Sequence, residues 1–128
     1  MEKIRFSEIE HVLKNHPKIE KLKQFLEDFF QRYSADFIIL FGSSAKGNYN
    51  RRSDIDLLIV SNTIKGGYFE KQLKLQQINP GGIDFFLYSS DQFKKMVKHL
   101  HLIVLESLSD GMILYDKEGK AKAYKRSI

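Results

Sequence analysis

Two short apolar runs, Phe37–Phe41 (FIILF) and Ile55–Val60 (IDLLIV), flank the polar segment GSSAKGNYNRRSD. The first run is continuous, the second is broken only by Asp56, and both are too short for a helix of their own, so each reads as a strand covered on both faces. Gly42 ends the first run. Residues 43–49 leave room for a turn and a short helix, and residues 50–53 supply a polar return to the second strand. Any fold for this chain has to bury these two strands under flanking helices.

The flanking sequence supplies them. Ser7 and Glu10 have capping-box spacing, and Phe6, Ile9, Val12 and Leu13 predict a short amphipathic helix that stops before Pro17. Pro17 suits the first turn of a second helix, whose apolar face is Ile19, Leu22, Phe25, Leu26, Phe29, Phe30 and Tyr33. After a loop at 65–67, residues 68–78 are ambiguous. A helix is favoured there because the chain has to be carried back for another strand. Asn79-Pro80-Gly81-Gly82 is a break, and Ile83–Tyr88 is a third strand. Ser89 and Gln92 repeat the capping spacing ahead of Phe93, Met96, Val97 and Leu100, with a bend expected near His99 to His101. Gly111 is a helix terminator and residues 112–115 are a last short strand. Alternating helices and strands predict a small α/β (α+β) domain, a mixed sheet flanked by helices.

With 128 residues the chain is sized for one domain, and its 42% hydrophobic and 29% charged content is that of an ordinary globular protein. No apolar run reaches membrane-span length and the first ten residues do not resemble a secretory signal, so a cytoplasmic location is the default expectation. The absence of cysteine excludes disulfides, thiolate metal sites and a cysteine nucleophile. The formal charge of +5 is compatible with anionic partners but does not select one. Much of the surplus lies in KEGKAKAYKRSI, which has almost no apolar pattern. The expected division is therefore a domain over residues 1–116, with helices in 7–33 and a core over 36–115, followed by a partly ordered basic tail over 117–128.

Asp54 and Asp56 point to one face of the second strand while Ile55 points to the other. Two adjacent carboxylates in an apolar strand are unfavourable unless water or a cation compensates. Asp84 places a further acid near the start of the third strand, and if that strand lies beside the second, three carboxylates converge. Hard oxygen donors without cysteine favour Mg²⁺ or Mn²⁺, with substrate phosphates completing the shell. Solvated strand ends that hold nothing are the alternative. The loop bears on that choice: Gly42 allows a sharp turn, after which Ser43 and Ser44 present hydroxyls and amides at a helix start, where phosphate binds well. A plain strand-to-helix turn with a serine cap is the alternative there. The spacing of Gly42 and Gly47 imitates a P-loop, but Asn48 and Tyr49 replace its lysine and its Ser or Thr, which excludes that motif.

FGSSAKGNYNRRSDIDLLIV, followed by Asp84 on a later strand, resembles the signature of the DNA polymerase β-like nucleotidyltransferase superfamily. The similarity covers residues 33–115, and LESLSDGMILYD resembles the end of the minimal, antitoxin-type members. The resemblance implies that Gly42 and Ser43 hold the β- and γ-phosphates of a nucleoside triphosphate. It implies that Asp54 and Asp56 bind two Mg²⁺ ions (or Mn²⁺), and that Asp84 is the third acid, ligating the catalytic metal and helping to deprotonate the acceptor hydroxyl. Ser44, Lys46, Arg51 and Arg52 lie in the same loop and are candidates for the triphosphate, with a solvated face as the alternative for the basic ones. Asp36 and Asp91 compete with Asp84, but a position before the first strand and a helix first turn explain them structurally. His99 and His101 do not share a helical face and make a poor metal pair.

Minimal members of the superfamily are commonly paired with a HEPN-domain toxin and attach AMP from ATP to one of its tyrosines, so the resemblance implies that activity and that partner. The alternatives are a non-catalytic antitoxin that covers its partner, and nucleotidyl transfer to RNA or a small molecule.

Overall fold

The computed structural model describes residues 10–11, 13–46 and 54–128. Phe6, Ile9 and Val12 of the first predicted helix, and Arg51 and Arg52 of the loop, lie outside the described residues. The described elements are α1 (Ile19–Arg32), β1 (Phe37–Phe41), α2 (Ser43–Lys46), β2 (Ile55–Val60), α3 (Tyr68–Gln77), β3 (Ile83–Tyr88), α4 (Ser90–Lys98), α5 (Leu102–Asp110), β4 (Met112–Asp116) and α6 (Lys120–Arg126).

The four strands form one mixed sheet in the order β3-β2-β1-β4. β1 is antiparallel to both β2 and β4, and β2 runs parallel to β3. A parallel pair needs a crossover, and α3 provides it, which resolves the ambiguous segment as a helix. β1 is buried at all five positions, as its unbroken apolar run requires. One face of the sheet packs Ile38, Leu40, Ile55, Leu57, Ile59 and Ile83 against Leu22, Phe25, Leu26 and Phe29 of α1 and Leu75 of α3. The other packs Phe37, Ile39, Phe41, Leu58 and Val60 against Phe93 of α4, Val104 and Leu108 of α5, and Ala121 of α6. The sheet is thus a mixed one between helical layers, as expected.

Helix boundaries follow their caps. Pro17 lies in the turn ahead of α1 rather than inside its first turn. At α4, Ser89 Oγ accepts the Gln92 N–H at 3.2 Å and Gln92 Oε1 accepts the Ser89 N–H at 2.9 Å, the capping box its sequence predicts. The expected bend is a full break: Leu100 adopts φ +50°, His99 caps α4 and His101 begins α5.

The basic C-terminal segment departs from expectation. In place of a partly ordered tail, residues 120–126 form α6. Both Asp116 carboxylate oxygens accept N–H groups of its first turn, from Ala121 and Lys122, each at 3.1 Å. Ala121 is wholly buried, and Tyr124 meets the rings of Phe37 and Phe93 at centroid distances of 6.2 and 5.3 Å. An apolar face of one alanine and one tyrosine is too small to register as periodicity.

Candidate active site

Asp56 and Asp84 are direct register partners across β2 and β3. Because strand residues alternate faces, they share the side carrying Leu58, Val60 and Phe86, and Asp54, two residues ahead of Asp56, joins them. The apolar positions deeper in the strands are covered by α4 and α5, so the acids occupy the open margin of that layer. Asp54 and Asp84 are exposed and Asp56 is half-buried. Burial foremost, then the charges of Asp84, Asp54 and Glu106, push the Asp56 carboxyl up to about 6. Glu106 thus adds a fourth carboxylate from α5.

β1 is followed by Gly42, whose φ of +76° favours glycine. A Cβ there would stand 2.5 Å from Asp56 Oδ2. Glycine is therefore required both by the turn and by the carboxylate that fills the space beside it. Gly42, Ser43 and Lys46 together with Glu106 line a cavity of about 380 Å³ next to the acids. A larger cavity of about 440 Å³, lined by Asp36, Phe37, Val60, Lys120 and Tyr124, opens at the opposite ends of β1 and β2 and has no part of the acid cluster in it.

Of the predicted phosphate-loop residues, Gly42, Ser43 and Lys46 face this cavity. Lys46 also stands 3.7 Å from Asp110 Oδ2. Arg52 lies outside the described residues. Ser44 differs from expectation: it is buried, and its hydroxyl points inward rather than toward the cavity. Its Oγ lies 3.0 Å from His16 Nε2 and donates to the Asp54 carbonyl at 3.3 Å. His16 Nδ1 accepts the Lys18 N–H at 3.0 Å, so this donor pattern assigns the ring proton to Nε2, which donates to Ser44. Burial, then the Lys18 charge, lowers the His16 pKa, in the same direction as an Nδ1 that accepts a hydrogen bond. The chain of bonds fixes the peptide that begins β2.

Lys18 also reaches the acids directly, with Nζ 2.6 Å from Asp54 Oδ1. Three participants thus escaped the sequence reading: His16, Lys18 and Glu106. Only Glu106 left a trace there, as a lone acid in the otherwise apolar start of α5. The competitors for the third acid are accounted for elsewhere. Asp36 pairs with Lys120 at 3.2 Å and Asp91 sits in the first turn of α4. His99 and His101 flank the helix break as the caps of α4 and α5.

Among the described residues no three His, Cys, Asp or Glu side chains are drawn together into a finished metal shell. The chemistry of the donors nevertheless fits a hard divalent cation. They are all carboxylates, brought together at the margin of adjacent strands, and their charges add to burial in raising the Asp56 pKa. Among the described residues no helix is long and apolar enough to cross a membrane.

Comparison with known proteins bears on the family and the fold. A protein of Methanocaldococcus jannaschii, provisionally named a protein adenylyltransferase, is 33% identical over 97 residues, which are 73% of this chain and 94% of that protein. A crystal structure from Sulfolobus solfataricus, provisionally described as a nucleotidyltransferase, superposes with a TM-score of 0.56 at 21% identity, covering 77% of this chain and 80% of that one. A toxin-antitoxin structure with AMP-PNP superposes with a TM-score of 0.53 at 18% identity, covering 84% and 81% of the two chains. The sequence pattern of the nucleotidyltransferase domain matches residues 19–123. With acids, glycine corner and family pattern coinciding on one sheet, the chain belongs to the nucleotidyltransferase domain family and is a nucleotidyltransferase.

Proposed function

We propose that this chain transfers AMP from ATP to a tyrosine hydroxyl of a HEPN-type partner protein. The observation that carries the reading is the register pairing of Asp56 with Asp84, with Asp54 on the same face and the Gly42 corner against Asp56. The archaeal relative's name points to protein as the acceptor, and the toxin-antitoxin structure with AMP-PNP shares the fold.

In this reading Gly42 and Ser43 seat the triphosphate in the adjoining cavity, with Lys46 at its edge. Asp54, Asp56 and Asp84 would hold Mg²⁺ or Mn²⁺, which when bound neutralises charge on the entering and leaving oxygens. Asp84 is exposed, and so is accessible to an acceptor hydroxyl and its proton. The acceptor oxygen bonds to the α-phosphorus as the bond from that phosphorus to the pyrophosphate oxygen breaks, and pyrophosphate departs. Positioning and charge compensation supply most of the catalysis. The paired strands and the glycine corner give this chain's contribution its rigidity.

The test is incubation with ATP labelled at the α-phosphate and Mg²⁺ or Mn²⁺, with and without a HEPN-domain protein encoded alongside. Label is expected on a partner tyrosine, and its yield should fall at least about 100-fold in Asp54→Ala and Asp56→Ala, the scale seen when charge-stabilising groups are removed. Inhibition of the partner without label would instead identify a non-catalytic antitoxin. Label confined to RNA or a small molecule would replace the protein acceptor.

A further inference from the structure

Lys18 is built into the acidic site from outside the sheet. Its ammonium lies 2.6 Å from Asp54 Oδ1, and its side chain is only 17% exposed, against 48% for that of Asp54. Its stem crosses the loop ahead of β3 at Gly82, where a Cβ would fall 2.5 Å from Lys18 Cδ. Gly82 in turn accepts the Ile55 N–H at 2.9 Å, tying that loop to the start of β2. The Lys18 amide is held by His16 Nδ1, and the same imidazole reaches Ser44, which holds the Asp54 carbonyl. The main chains of both partners are therefore held in one network and the Lys18 stem is largely covered, which sets the contact apart from a surface pair between two fully exposed side chains.

We propose that Lys18 is a resident counter-ion of this site, occupying Asp54 while no divalent cation is present and withdrawing from that oxygen when one binds. The two cations want the same carboxylate. A single ammonium offsets one charge, whereas Asp54, Asp56, Asp84 and Glu106 together act on the site, so a divalent ion has the electrostatic advantage. Lys18 thereby sets the metal concentration at which the site fills and keeps the strand margin from repelling itself beforehand. The inference rests on the reading of these acids as metal ligands. It assigns Lys18 a positioning and gating role rather than a step in the transfer.

The experiment is Mn²⁺ binding to the metal-free protein, without nucleotide or partner, followed by loss of the free-ion paramagnetic signal. Lys18→Met keeps the apolar stem over Gly82 and removes the charge. Its Kd for Mn²⁺ is expected to fall about three- to fivefold, the upper range for an exposed ion pair. Lys18→Arg, which restores a cation, should return the Kd to within about twofold of wild type. Circular dichroism establishes that both variants are folded. On the unmodified protein, the Lys18 ammonium ¹⁵N resonance should move as Mg²⁺ is added, which tests the proposal even if a variant fails to fold. Equal Mn²⁺ affinity in wild type and Lys18→Met, or weaker binding in the variant, overturns the counter-ion role and leaves the metal reading standing. An ammonium signal unmoved by saturating Mg²⁺ does the same. No Mn²⁺ binding by any of the proteins overturns both.

Discussion

Protonation of Asp56 couples the acid cluster to stability. Its carboxyl is raised from 3.8 to about 6 in the folded chain, so between those values the folded form binds more protons than the unfolded form. This contribution is fully present below about pH 4 and is lost as the pH rises through about 6. The metal-free protein is therefore expected to lose more thermal stability between about pH 5 and pH 7 than Asp56→Asn does, and Mn²⁺ should flatten the difference. Scanning calorimetry of both proteins across that range checks it. The two serines after Gly42 should separate in the opposite sense. Ser44→Ala strands the His16 Nε2–H and the Asp54 carbonyl, and should cost about 1–3 kcal/mol in urea unfolding. Ser43→Ala should leave stability nearly unchanged and impair nucleotide transfer. That Asp54 and Asp56 share a face beyond a glycine turn is legible in the sequence, because strand alternation and the glycine after β1 are local signals. The sequence does not distinguish the serines, because what turns Ser44 inward is a histidine 28 positions earlier, a meeting made only by the tertiary fold.

α6 shows how an element can hide in a charged segment. Its helix start is supplied by Asp116, outside it, and its packing by one ring against two others on β1 and α4. Tyr124→Ala should accordingly destabilise the domain by about 2–3 kcal/mol, whereas Lys122→Ala, on the exposed side, should stay within about 0.5 kcal/mol. Equilibrium denaturation of the two variants compares them directly. β1, β2 and β3 are legible in the sequence for the opposite reason, since short apolar runs, broken only by Asp56 and Asp84 and closed off by polar residues or glycine, permit few other structures. The crossover helix α3 was legible only through topology. Its buried contribution is Leu75, while Tyr68, Phe69 and Leu73 are exposed, so no clean apolar stripe marks it. The break between α4 and α5 was foreseen as a bend because sequence shows where apolar spacing falters, and the positive φ at Leu100 is what makes it complete.

Binding should stabilise the whole domain, since the acids belong to the central strand β2 and to its neighbour β3. With a non-hydrolysable ATP analogue at about 100 times its Kd, added at fixed Mn²⁺, the wild-type chain should gain about 2.7 kcal/mol over the same Mn²⁺ without analogue, and Asp54→Ala little of it, as read by thermal shift. The parallel pairing of β2 with β3 also governs when such a site can exist. Asp54 and Asp56 are synthesised well before Asp84, and the two segments meet only across the α3 crossover between them. A nascent chain that has emerged no further than β2 owns the glycine corner and a pair of repelling carboxylates, but no third acid. Under the proposed function, transfer is withheld from a fragment that stops before β3 and from a chain in which β2 and β3 are out of register, so turnover reports that these two strands have paired.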